Sequence, residues 1–132
     1  MGKPFKTLYD LATYRGGAGH WTYILHRLTG IAVLLFLFIH IIDTALIGWG
    51  PDLYNRAIAL YRHPFFRLNE VVLFAAVLYH SLNGFRIVVV DFWPRSTRYH
   101  RRMVWMEGIV FVLVMIPVAY LMIKPLFQER LP

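Results

Sequence analysis

The segment Leu78-Tyr79-His80-Ser81-Leu82-Asn83-Gly84-Phe85-Arg86 lies inside an apolar run that extends from Val71 to Val90. A run of about 20 apolar residues is long enough for an α-helix to cross the hydrocarbon core of a bilayer. Two more runs of similar character flank it, so the sequence predicts membrane spans over about residues 22–48, 69–91 and 104–124. The predicted fold class is therefore an all-α membrane protein with three transmembrane helices, in which residues 1–132 form a single domain.

The composition excludes several other classes of protein. Of the 132 residues, 58% are hydrophobic and 16% are charged, whereas a soluble domain carries about a quarter charged residues. The absence of cysteine excludes a disulfide framework and any cysteine-ligated iron–sulfur cluster in this chain. In a membrane protein, a net charge of +7 reflects orientation charges and contact with anionic lipid, so no nucleic-acid partner is expected.

The segment from Asp52 to Arg67 is too polar to span the bilayer. Leu53 and Leu60 fall at helical spacing opposite Arg56, which predicts a short amphipathic helix lying on the membrane surface between the first two spans. The pair His63-Pro64 is expected to end this helix.

The distribution of lysine and arginine predicts the orientation of the chain. The N-terminal segment through Arg27 and the 91–103 loop hold four such residues each, against three in the 50–68 loop and two after the third span. Eight against five places the N-terminus on the cytoplasmic side of a multi-pass protein of the inner, or cytoplasmic, membrane. A lead without a transit-peptide composition favours a bacterial source.

His80 is the first candidate for chemistry, because a histidine in the middle of a span is costly and needs a partner. Ala76 and Gly84 lie four residues before and after it, on the same side of the helix. Small residues around an imidazole allow a flat macrocycle to approach while the ring nitrogen binds its iron. The alternative is a packed histidine bonded to a neighbouring helix, with the glycine serving close helix contact, and spacing alone leaves both open.

His40 is a second candidate ligand. It follows Arg27 by 13 residues, and His80 precedes Asp91 by 11, so counting from these boundaries predicts a similar depth of roughly 16–20 Å for both histidines. His40 is thus a possible second ligand of the same iron or part of a second site. The other interpretation takes the two ligands from different subunits and leaves His40 as a hydrogen-bond partner.

Charged residues near the inner boundary form a further group. His26 and Arg27 suit the carboxylates of a haem or the carbonyl of a quinone, although Arg27 by itself is also typical of a membrane-orientation anchor. Arg86 is expected to reach the interface or to pair with a haem propionate, with Asp91 as another acceptor.

Two acidic residues also lie within the predicted spans. Asp43 and Glu107 are deep enough to require partners, which the sequence does not identify.

Two motifs resemble a known family. His26-Arg27-Leu28-Thr29-Gly30 resembles the H-R-x-[ST]-G element of the cytochrome b membrane anchor of succinate dehydrogenase (respiratory complex II). His80 with Gly84, Arg86 and Asp91 resembles the same family's H-x-x-x-G-x-R signature and its following aspartate. The two occur in the family's order on the first two of three spans, and the match covers about residues 20–95.

The resemblance implies a cofactor and a substrate site. His80 would be an axial ligand of haem b, with the second ligand from a second membrane anchor subunit. Arg27, His26 and Tyr23 would line a site for quinone, either ubiquinone or menaquinone, or contact the haem propionates, and Arg86 is a possible propionate contact. Tyr23 replaces a serine that is frequent in the family, with Thr22 as another hydroxyl nearby, and Ile87 replaces a frequent histidine or phenylalanine.

The resemblance also implies partners and a place in metabolism. Flavoprotein and iron–sulfur subunits would oxidise succinate in the tricarboxylic acid cycle and pass electrons to quinone in this anchor, so the chain alone is not a complete enzyme. The alternatives are the anchor of a quinol:fumarate reductase or a non-redox membrane scaffold subunit.

Overall fold

A computed structural model describes residues 18–128 of the chain. Within this part, the structure is helical and contains no strand. Four α-helices follow one another, with short 3₁₀ segments over Leu46–Trp49 and Pro94–Tyr99: α1 is Ala18–Ala45, α2 is Pro51–Tyr61, α3 is Pro64–Phe92 and α4 is His100–Gln128. The regions Gly19–Trp49, Pro64–Phe92 and Pro94–Phe127 are long and apolar enough to cross a membrane. The predicted fold class, with three spans and a short amphipathic helix after the first, is confirmed.

Proline and glycine set the starts of α2 and α3. Gly50 has a φ of 111°, a left-handed conformation that favours glycine, and Pro51 begins α2 directly after it. Pro64 likewise begins α3, where the Nδ1 atom of His63 accepts a hydrogen bond of 3.3 Å from the backbone N–H of Phe65. The chain therefore turns sharply twice between α1 and α3.

The long helices extend beyond the spans predicted from apolar composition. α3 begins at Pro64 rather than near residue 69, and α4 begins at His100 rather than near residue 104. Hydropathy marks the part of a helix that lies in hydrocarbon, whereas the hydrogen-bonded helix continues for one or two polar turns into the interface. Most of the predicted polar lead, including Lys3, Lys6 and Arg15, and also Arg130 lie outside the described residues.

α3 is the central helix, since it packs against α1 on one side and against α4 on the other. The described side chains that are buried are all polar, namely Thr22, Asn83, Arg86 and Glu107, while large apolar side chains point outward along all three spans. This arrangement is the reverse of a soluble protein and is expected where the surroundings are lipid and other apolar helices.

Candidate functional site

His26 of α1 and His80 of α3 stack in the seam between the two helices. Their ring centroids lie 4.0 Å apart and the ring planes differ by 6°. Each histidine precedes a glycine by four residues, in the repeated pattern His-x-x-x-Gly. The two motifs therefore meet face to face on antiparallel helices.

Each histidine ring lies against the glycine of the opposite helix. A Cβ atom on Gly30 would come within 3.0 Å of Cε1 of His80, and one on Gly84 would lie 3.6 Å from Cε1 of His26. The His26 ring lies against Gly84 in this structure, and the predicted role of Gly84, room for a flat ligand beside His80, stays a prediction. Gly30 is the glycine that makes room for His80.

The contacts of the His80 ring distinguish its two nitrogens. Nδ1 lies 3.1 Å from the carbonyl oxygen of His26 and 3.2 Å from Oγ1 of Thr29. The Thr29 hydroxyl is itself placed to donate to the carbonyls of Leu25 and His26, at 2.8 and 3.1 Å, so its oxygen is available to accept. A neutral imidazole with its proton on Nδ1 satisfies this arrangement and leaves the Nε2 lone pair for a ligand.

This donor set fits a histidine that would hold the iron of a haem. Imidazoles that bind a metal through one nitrogen donate the other N–H to a carbonyl or a carboxylate, which fixes the tautomer and the ring orientation. The Gly30 cradle adds a steric constraint, because any larger residue would press on the ring edge. The role of His80 as a haem ligand stays a prediction that this geometry supports.

His40 does not lie level with His80, and the predicted equality of depth is wrong. His80 packs against Gly30, ten residues before His40, which corresponds to about 15 Å along α1. The prediction took Arg27 as the point where the first helix enters the membrane. α1 already begins at Ala18, so depths counted from Arg27 are wrong. One iron is therefore not shared by these two histidines, whereas a separate site at His40, which stacks on Phe36, stays a prediction.

Arg27 and Tyr23 form a pair on the outer side of α1, away from the histidine seam. Nη1 of Arg27 donates to the Tyr23 hydroxyl at 2.9 Å, and its guanidinium lies 5.4 Å from the centre of the Tyr23 ring. Both side chains are exposed. The Thr22 hydroxyl is buried and donates to the Gly19 carbonyl, so Tyr23 supplies the hydroxyl on the side of Arg27.

Arg86 lies in the interior of the helix bundle and pairs with Glu107 of α4. Its Nε atom is 3.4 Å from Oε2 of Glu107, and its Nη2 atom donates to Oδ1 of Asn83. Arg86 and Glu107 are each 8% exposed and Asn83 is fully buried. The expectations that Arg86 reaches the interface or is bound by Asp91 are not met, while its predicted contact with a propionate stays a prediction.

Asp43, whose partner the sequence left unidentified, accepts a hydrogen bond from the Tyr61 hydroxyl at the end of α2. This hydrogen bond, together with partial burial, raises the pKa of Tyr61 to about 12. The contact ties the surface helix to the end of α1 on the side opposite the histidine seam.

The roles of four residues at these sites were missed by sequence reasoning. Thr29 and Gly30 were identified only as part of a family motif. The His-x-x-x-Gly pattern occurs in two neighbouring spans, which indicates that each glycine packs against the histidine of the other helix. Glu107 was left without a partner, although a cation in one span and a carboxylate in the next favour pairing. Asn83 is a polar residue within a span, but the sequence did not identify Arg86 as its partner.

The fold and the site define the class of protein: a small helical membrane subunit with three apolar helices and a histidine seam between α1 and α3. Residues 3–117 match the sequence model of a family described as Succinate dehydrogenase/Fumarate reductase transmembrane subunit. The chain is 43% identical over 115 residues to succinate dehydrogenase 2 membrane subunit SdhC of Mycobacterium tuberculosis, a match that covers 87% of this chain and 81% of that protein. It is 36% identical over 75 residues to the succinate dehydrogenase hydrophobic membrane anchor subunit of Halobacterium salinarum, covering 56% of this chain and 58% of that protein.

The chain therefore belongs to the family of succinate dehydrogenase and fumarate reductase transmembrane subunits. The resemblance drawn from the two histidine motifs is confirmed at this level.

Proposed function

We propose that this chain is the membrane anchor of a succinate:quinone oxidoreductase, that it holds haem b through His80, and that it forms part of the quinone-reduction site. The observation that carries the proposal is the contact of His80 Nδ1 with the His26 carbonyl, which leaves Nε2 to bind iron. A second ligand to the iron would come from the second membrane anchor, since His40 is out of reach.

The haem supplies one-electron exchange when it is bound. The residues of this chain have distinct roles around it. The His26 carbonyl and Thr29 fix the orientation of His80, and Gly30 leaves room for its ring. Arg86 is paired with Glu107 and bonded to Asn83, and its Nη1 group, which has no hydrogen-bond partner among the described residues, would be the donor available to a propionate.

Quinone binding is assigned to Arg27 and Tyr23, with His26 behind them. An arginine that already donates to a phenol keeps further N–H groups for a quinone oxygen, and these donors stabilise the negative charge that develops on that oxygen during reduction. The side chains of Arg27 and Tyr23 are exposed in the isolated chain, so the walls of the pocket are completed by the iron–sulfur subunit and the second membrane anchor.

The names of the two relatives favour succinate oxidation over fumarate reduction as the direction of the reaction. In this proposal a flavoprotein subunit oxidises succinate and an iron–sulfur subunit passes the electrons to the anchor in the cytoplasmic membrane. The exposed apolar surfaces of α1, α3 and α4 face lipid and the second membrane anchor.

The proposal is tested by two assays on the purified complex. Arg27→Ala is expected to slow succinate:quinone reduction by about ten- to a hundredfold, the loss of a charge-assisted hydrogen bond, while succinate oxidation by an artificial dye persists. Arg56→Ala, on the exposed surface of α2, serves as the matched control and keeps both activities. Equal loss of both activities in Arg27→Ala would indicate failed assembly, and full quinone reduction would refute the site. The absence of b-type absorption in the native complex would support the non-redox scaffold.

A further inference from the structure

The carboxylate of Glu107 in α4 is buried and has an ion-pair partner but no hydrogen bond. Its Oε2 atom lies 3.4 Å from Nε of Arg86, and neither of its oxygens has a hydrogen-bond partner among the described residues. A carboxylate buried in apolar surroundings is normally stabilised by hydrogen-bond donors as well as by a cation. The charge of Glu107 is therefore balanced by the guanidinium group of Arg86, and neutralising either residue leaves a net charge inside the helix bundle.

This ion pair lies close to the proposed iron ligand. Arg86 follows His80 by six residues on α3, which corresponds to about 9 Å along the helix axis. Asn83 lies midway between them in the sequence, is fully buried, and accepts a hydrogen bond from Nη2 of Arg86 through its Oδ1 atom. Because water is excluded from this part of α3, the charges of the pair are weakly screened.

A buried charge changes how readily a nearby iron takes up an electron. A positive charge favours the reduced iron, which carries one more electron, and a negative charge favours the oxidised iron. Arg86 and Glu107 therefore have opposite effects that largely cancel. At roughly 9 Å and an effective dielectric constant of about 20, one uncompensated unit charge changes a one-electron equilibrium by about tenfold.

We propose that Glu107 lowers the reduction potential of the haem by cancelling the electric field of Arg86. The inference rests on the proposed function, because it requires a haem bound to His80. Glu107 acts on the haem through Arg86, so it is a positioning residue rather than a catalytic one. Its position on α4 means that the packing of α4 against α3 contributes to the redox properties of the site.

The experiment is a potentiometric titration of the purified complex, followed by its b-type absorption and normalised to haem content. Glu107→Gln keeps the size of the side chain and an acceptor for Arg86 but removes the negative charge. At a fixed potential, it is expected to raise the ratio of reduced to oxidised haem by about tenfold, a positive shift of about 59 mV. Arg86→Gln is expected to shift the ratio in the opposite direction, and Arg86→Gln/Glu107→Gln is expected to lie close to the wild type.

The matched control is Glu70→Gln. This variant removes the same charge from an exposed position at the start of α3, ten residues before His80, and is expected to keep the wild-type ratio. A structural disturbance without an electrostatic role would shift Glu107→Gln and Arg86→Gln in the same direction, which would overturn the inference. An unchanged ratio in Glu107→Gln would also overturn it.

Two further outcomes separate this inference from the proposed function. A native complex without haem would overturn both, whereas a haem with one potential in all variants would overturn only the role of Glu107. If Glu107→Gln fails to assemble, the charge-reversed variant Arg86→Glu/Glu107→Arg replaces it. This variant keeps an ion pair but places the carboxylate on the helix that carries His80, so it is expected to lower the ratio of reduced to oxidised haem. An unchanged or higher ratio would refute the inference.

Discussion

At the scale of single residues, the seam between α1 and α3 contains two glycines with different tolerances. A Cβ atom on Gly30 would sit 3.0 Å from the His80 ring, which is closer than side chains normally pack, whereas one on Gly84 would sit at an ordinary 3.6 Å from His26. The two positions look equivalent in the sequence, since each follows a histidine by four residues. Only the helix register distinguishes them.

Gly30→Ala is therefore expected to displace the His80 ring by a few tenths of an ångström and to weaken haem binding by about 1–3 kcal/mol, the usual cost of overpacking. The haem-to-protein ratio of the purified complex measures this loss. Gly84→Ala is the matched control and is expected to keep near-native haem content. Equal haem content in both variants would contradict the close packing of Gly30 against His80.

Sequence reasoning identified most of the polar residues of the site but not their relation to one another. His80, His26, Arg27 and Arg86 were all singled out, because buried or interfacial polar groups in an apolar chain are conspicuous. The pairing of His80 with Gly30 depends on the relative positions of two helices. An error of a few residues in a helix boundary was enough to place His40, rather than Gly30, at the level of His80.

At the scale of helices, a buried ion pair joins α3 to α4. Arg86 and Glu107 are held within an otherwise apolar contact, where either charge alone would be costly. The pair therefore specifies which faces of the two helices meet, in addition to any role toward a cofactor.

Glu107→Leu is expected to destabilise the chain by about 3–5 kcal/mol, because it leaves the Arg86 charge buried without a partner. The double variant Arg86→Leu/Glu107→Leu removes both charges and is expected to recover most of that loss. Unfolding in mixed detergent, with haem content measured in parallel, compares the two. A double variant that is less stable than the single one would contradict the account of the pair.

The surface helix α2 is fastened by a contact that depends on pH. The pKa of Tyr61 is raised to about 12 from an ordinary value of 10.0, so its hydrogen bond to Asp43 contributes stability at any pH below 10. This contribution is lost as the pH rises through about 12, because the phenolate no longer donates.

The melting temperature of the wild type is thus expected to fall more steeply than that of Tyr61→Phe between pH 10 and about pH 12. Tyr54→Phe, on the same helix, is the control and is expected to follow the wild type. Parallel pH profiles for the wild type and Tyr61→Phe would exclude the contact with Asp43.

The helices themselves were largely predictable. Three apolar runs and an amphipathic segment gave the number and order of the elements, because hydrocarbon permits few other backbone structures. α3 and α4 begin four or five residues before the predicted spans, at Pro64 and His100, because hydropathy marks only the part of a helix that lies in hydrocarbon. The Asp43–Tyr61 contact was unpredictable, because it depends on how α2 folds back against α1.

At the scale of the whole molecule, the polar contacts between helices lie at opposite ends of the bundle. The histidine seam and the Arg27 pair lie near the start of α1, and the Asp43–Tyr61 contact lies near the end of α1. If the N-terminus is cytoplasmic, as the lysine and arginine distribution predicts, the histidine seam lies toward the cytoplasm and α2 lies on the opposite side of the membrane.

The absence of native cysteine allows a direct test of this orientation. Asn55→Cys in α2 and Thr97→Cys in the α3–α4 connection both place a thiol at an exposed position. In intact cells, a membrane-impermeant maleimide is expected to label the former and to label the latter only after permeabilisation. The opposite pattern would reverse the predicted orientation.

The binding of iron by His80 is tested most directly by the reduced-minus-oxidised absorption spectrum of the purified complex. His80→Ala is compared with His40→Ala, which removes an exposed imidazole about 15 Å farther along α1. The b-type absorption is expected to disappear or to be greatly weakened in His80→Ala and to remain in His40→Ala. An unchanged haem spectrum in an assembled His80→Ala complex would contradict iron binding by His80.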